Sequence, residues 1–141
     1  MIRPMLIAAA LTAGLCAGAQ AATLHFEGKM NGAQEVPPKT TDGTGMAMAT
    51  LDTDTGMLDY TVTFSGLSGP ATMAHFHGPA MAGKNAGVLV PLGMKPVSPI
   101  KGMKKLTPAE VKDFEDGMIY VNVHTQANPG GEIRGQMEET K

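Results

Sequence analysis

Apolar and polar residues alternate along most of the chain in short runs, and the runs are separated by clusters of Gly, Pro, Asn and Asp. A period of two marks strands with one buried face, and several such runs at this spacing predict an all-β sandwich or barrel. The first run covers residues 23–30, with Leu24 and Phe26 on one face. A long polar connection with Pro37-Pro38 follows over 31–45. Residues 46–51 form the second run, 52–56 a turn, and Leu58, Tyr60, Val62 and Phe64 hold alternate positions of the third, so these two runs predict a hairpin. After a break at 66–70, strands are expected at 72–77 and 88–92, with a loop at 78–87 between them. Pro91, Pro96 and Pro99 make the next stretch irregular or a sheet edge, because proline gives a ladder no N–H.

One segment breaks the period. Thr107-Pro108-Ala109-Glu110 is a capping box with proline at the first helical position, and Leu106 and Val111 are spaced as a hydrophobic staple. Val111 and Phe114 share a face and Gly117 is placed to stop the helix, whose expected role is to bridge strands and cover an edge. Beyond it, 118–125 is the strongest strand: Ile119, Val121 and Val123 face one way, Tyr120, Asn122 and His124 the other. Asn128-Pro129-Gly130-Gly131 is a turn, and 132–137 returns as the last strand of a C-terminal hairpin.

Residues 1–21 stand apart from this pattern. One positive charge at Arg3, an alanine-rich apolar run and the ending Ala19-Gln20-Ala21 predict a cleaved secretory signal, too short to read as a membrane span. The lone cysteine, Cys16, falls within it and has Leu15 before it, which argues against lipidation. Residues 22–141 are therefore expected to form a single domain, periplasmic or secreted, with neither disulfide nor thiolate metal site. That domain carries 10 basic and 13 acidic side chains, a net charge of −3, with no basic block, so nucleic acid is not an expected partner.

The candidate chemistry lies with histidine. His75 and His77, at i and i+2, share a strand face, with α-carbons about 6.5–7 Å apart. His124 also stands opposite an apolar face. If its strand neighbours theirs, three imidazoles meet as metal ligands and leave an open coordination position. Imidazole suits copper and zinc. Met73, on the same face as His75, adds a thioether and tilts the choice toward copper, although an H-x-H pair alone is common on solvated strands. His25 is expected at the surface or in packing. The other methionines, among them Met46, Met48, Met81, Met94 and Met103, read as composition before copper handling. Glu132 with Arg134, and Tyr120 with Asn122, are spaced for a cross-strand polar network, with a catalytic acid or anion clamp as the sharper alternative. No nucleophile elbow and no phosphate-binding glycine loop is present.

Four stretches, in order, resemble the CHRD (chordin) domain: Gly32-Ala33-Gln34-Glu35-Val36-Pro37-Pro38, Ala74-His75-Phe76-His77-Gly78-Pro79-Ala80, Tyr120-Val121-Asn122-Val123-His124-Thr125, and Asn128-Pro129-Gly130-Gly131-Glu132-Ile133-Arg134-Gly135-Gln136. The chain is similar to a stand-alone bacterial version of that domain. The resemblance implies a Greek-key β-sandwich with one short helix, immunoglobulin-like or related to copper/zinc superoxide dismutase. It does not imply dismutase activity, since this chain has too few histidines for a two-metal centre. Nor does it imply growth-factor binding, since chordin's cysteine-rich modules are missing. His75, His77 and His124 all fall inside the motifs.

The expected function is thus ion binding, buffering or delivery, with copper ahead of zinc. The alternative is a cell-surface or matrix interaction module whose histidines are structural, with another exported protein as its partner. An enzyme working on oxygen species ranks third, because no general acid or base accompanies the histidines.

Overall fold

In the computed structural model, which describes residues 22–141, the alternating runs become antiparallel strands. β1 (Thr23–Asn31) pairs along its whole length with β2 (Thr44–Asp52), and β2 with β3 (Met57–Ser65), the expected hairpin. Buried Ala47, Ala49 and Leu51 of β2 alternate with more open positions, as do Leu58, Tyr60 and Val62 of β3. β4 (Ala71–His77) lies between β5 (Val88–Met94) and β7 (Tyr120–Thr125), and β8 (Ile133–Gln136) adds to β7. Pro91 thus sits on an edge strand, as its missing N–H requires.

Two strands go beyond the sequence reading. The proline-interrupted stretch gives way to a regular strand, β6 (Ile100–Lys105), paired with β3. Residues 132–137 do not end the fold either: β9 (Glu138–Thr140) pairs with β1 beyond them. The connection after β1 also holds a 3₁₀ turn at Gly32–Gln34, capped by the Asn31 side chain.

The hydrogen-bonded order is β5-β4-β7-β8-β1-β2-β3-β6. The sheet folds over on itself, so Tyr60 on β3 meets Phe76 on β4 edge-on, ring centroids 5.5 Å apart, although four strands separate them in the ladder. Only one register pair, Asn31 with Arg134, joins β1 to β8 at the fold line. The helix α1 (Pro108–Glu115) has the expected capping box between Thr107 and Glu110. It lowers Phe114 into the core against Phe26 and Phe76. The architecture of the described residues is all-β with one short helix. No helix among the described residues is long and apolar enough to cross a membrane. The expected signal segment lies outside the described residues.

Candidate metal centre

β4 and β7 set out the site by alternation alone. Ala74 and Phe76 point into the core with Val121 and Val123 beside them, all fully buried. Met73, His75 and His77 therefore take the other face, as do Tyr120, Asn122 and His124. The antiparallel register opposes Met73 to His124, His75 to Asn122, and His77 to Tyr120. His124 is thus the diagonal neighbour of His75, within reach of a ring. His75 Nδ1 and His124 Nε2 face one another at 3.0 Å. The His75 ring stands edge-on to both other rings, with centroids 5.3 Å from His77 and 4.9 Å from His124. One nitrogen from each of the three lies within 4.8 Å of the others, a grouping that could hold a metal ion. A tetrahedral ion with bonds of about 2.0–2.1 Å needs ligand nitrogens about 3.3–3.4 Å apart. The His75–His124 pair needs little adjustment, and a gap as wide as 4.8 Å closes by about 1.5 Å of ring movement.

This face is roofed by loops. His77, Asn122, His124 and Tyr120 are buried, and His75, half-buried, is the most open of the three imidazoles. The roof fixes the rings through backbone carbonyls. His124 Nδ1 donates to Pro129 O at 2.8 Å and His77 Nδ1 to Ala86 O at 3.1 Å. Each bond holds a proton on Nδ1 and leaves Nε2 as the lone pair, the usual outer support of a ligating imidazole. His77 Nε2 lies 3.0 Å from Asn122 Oδ1; with the proton held on Nδ1 this nitrogen is an acceptor, so the two atoms bond only when the Asn122 amide turns its NH2 group toward the ring.

Burial lowers all three imidazole pKa values. For His75 the effect of burial, with the nearby rings of His124 and His77 adding to it, reaches about 4. The centre is therefore made of neutral imidazoles near pH 7, the protonation state that metal binding requires.

Glu132 and Arg134, equally spaced on the sequence, go to different places. Burial would raise the Glu132 pKa, but hydrogen bonds from Ser68, Thr125 and Thr41 outweigh it and hold the carboxyl near 2. The bonds are Thr41 Oγ1, Ser68 Oγ and Thr125 Oγ1 at 2.6 Å each and Ser68 N at 2.8 Å. Arg134 places its guanidinium carbon 3.5 Å from the centroid of Tyr120, whose other face stacks on His77 at 4.9 Å. It also donates to Asn85 Oδ1 and Lys84 O, pinning the loop after β4. The polar network expected of these residues exists, but it is buried, and neither residue forms an ion pair with the other.

Sequence spacing did not single out Glu35. Its carboxyl is buried and Oε1 has no hydrogen-bond partner. Burial lifts its pKa to about 7 against the opposing pull of Arg134, Asn122 and Lys39. The only signal was its place within the stretch 32–38. Of the other methionines, Met46, Met48 and Met103 sit on β2 and β6, away from the strands that carry the imidazoles. His25 lies on β1, with Nδ1 3.3 Å from the Thr50 hydroxyl.

No curated protein and no solved structure matches the chain. The family model for the CHRD domain matches residues 26–137, from the inner face of β1 through the end of β8 and across every strand that builds the centre. The chain belongs to the CHRD domain family.

Proposed function

We propose that this is an exported copper-binding domain that binds, buffers or delivers the ion through His75, His77 and His124. The observation that carries the reading is the opposition of His75 Nδ1 and His124 Nε2 at 3.0 Å, with the third imidazole close by and no carboxylate in the grouping. Neutral nitrogen donors alone favour copper or zinc over calcium or magnesium, which prefer oxygen. Met73, opposite His124, supplies the soft donor that tips the choice to copper. The absence of cysteine after residue 21 argues against a blue-copper electron-transfer centre, which needs a thiolate.

Titration of the metal-free protein with copper and zinc tests this. Tight binding of one equivalent by the parent, lost in the His75→Ala, His77→Ala, His124→Ala chain, is expected. Equal binding by the two chains overturns the reading.

A second reading has one observation in its favour: both ring nitrogens of His77 already lie against protein oxygens, Ala86 O at 3.1 Å and Asn122 Oδ1 at 3.0 Å. On that reading the imidazoles fix strand register and the loop roof, and the domain is an interaction module. Recovery of an exported partner protein that persists after chelation, and with the three histidines replaced, is its expected signature.

A further inference from the structure

Met73 stands opposite His124 across the β4–β7 ladder and opposite Met94 across the β4–β5 ladder. The three residues form a row over three strands, on the surface that carries the imidazoles. Directly opposed residues on one face have Cβ atoms about 4.5–5.5 Å apart, so each side chain in the row can touch the next.

Met94 owes its position to an irregularity. Val90 and Leu92 of β5 are buried, and strict alternation would turn position 94 inward as well. The β4–β5 register shifts between Ala74 and His75: His75 faces Pro91, whereas Ala74 faces Gly93, which leaves Leu92 as an extra residue. Gly93 takes φ 122°, a conformation open to glycine. The bulge reverses the parity and brings Met94 onto the outer surface, where it is 75% exposed. Bulges commonly re-aim a side chain beside a functional site. Here the result is a large apolar side chain in water, at the open end of a row that leads to His124.

Building on the copper reading, we infer that Met94 and Met73 form a thioether path by which copper(I) enters and leaves the three-histidine centre. Thioether sulfur is a soft donor that selects copper(I) and offers little to zinc. The ion moves by ligand exchange: a copper–sulfur bond to Met94 forms as a donor ligand is released, Met73 then replaces Met94, and His124 Nε2 takes up the ion. Copper remains in the +1 state throughout, so no electron acceptor is involved. The matching partner is a donor or acceptor that presents copper(I) on exchangeable sulfur or nitrogen ligands.

The test compares the parent with Met73→Leu, Met94→Leu and the double variant, without oxygen, using copper(I) held by bicinchoninate as donor and zinc as control. Leucine preserves volume, and the exposure of Met94 keeps that change out of the core. Uptake of copper(I) about tenfold slower in Met94→Leu, weaker copper(I) binding in Met73→Leu, unchanged zinc affinity in both, and a copper–sulfur shell in the X-ray absorption of the parent that Met73→Leu removes would support the path. Uptake and copper(I) affinity equal to the parent's in the double variant would overturn it, while zinc and copper(II) binding through the imidazoles left the copper reading standing. Copper(I) still captured without the three histidines, but lost with both methionines, would overturn the path, which has to end at the imidazoles, and would leave the thioethers as a separate copper(I) site. A parent chain that binds no copper overturns both.

Discussion

His75 Nδ1 and His124 Nε2, 49 positions apart in the chain, lie 3.0 Å from each other on adjacent strands. With a proton held on His124 Nδ1 by Pro129 O, the contact is made by a proton on His75 Nδ1, which a metal ion would replace. Removing either ring should lower metal affinity by more than the roughly 10–100-fold that an outer support is worth, while Asn122→Ala should fall within that range. His25→Ala should leave affinity unchanged. Competition with a chelator of known affinity measures all four.

Arg134 is clamped between an aromatic face and two oxygens of the loop after β4. Lysine cannot reproduce the planar stack or the paired donors. Arg134→Lys should cost about 2 kcal/mol, the scale of a desolvated cation–π contact together with one charged hydrogen bond. Denaturant unfolding reads that loss, and faster amide exchange across residues 84–86 should accompany it.

The Glu132 carboxyl is held near pKa 2, against an ordinary value of 4.5. In the unfolded chain it takes up a proton first, so its contribution is complete above pH 4.5 and fades as the pH falls toward 2. At about 1.4 kcal/mol per pKa unit, that contribution is about 3 kcal/mol. Glu132→Gln should remove a similar amount at pH 7 and flatten the stability profile between pH 4.5 and 2, as measured by urea midpoints across that range.

Glu35 behaves in the opposite sense. Its folded pKa of about 7 lies above the ordinary 4.5, so folding becomes less favourable as the pH rises from 4.5 through 7. Glu35→Gln should leave stability unchanged at pH 4 and raise it by up to about 3 kcal/mol at pH 8. Thermal melts at the two pH values decide this; equal shifts at both would contradict it.

The alternation of Leu58, Tyr60, Val62 and Phe64, and of Ile119, Val121 and Val123, made most of the sheet legible, because each of those strands buries one face against the core. β6 was obscured because Ile100-Lys101-Gly102-Met103-Lys104-Lys105 has little apolar periodicity. As an edge strand it needs little, and its lysines suit a border that must not pair further. The meeting of His124 with His75 and His77 followed from parity once β7 lay beside β4. What alternation could not reveal is the roof. Tyr120, Asn122 and Arg134 read as an exposed polar face, but loops from distant parts of the chain cover them, and a two-residue period says nothing about what lies above a sheet. The same blindness hid Glu35, whose chemistry comes from burial and not from spacing, and Met94, whose outward direction depends on one inserted residue.

Ala86 offers a single carbonyl oxygen to two acceptor-seeking groups at once, the imidazole at 77 and the phenol at 120. Those two rings are consequently not independent tenants of the pocket. A change in either alters the competition for a shared lone-pair region and, through it, the set of the strap that carries residues 84–86. Paired substitutions at 77 and 120 should depart from additivity, and whatever shifts that strap also shifts the electron density available at the nitrogen on the far side of the imidazole.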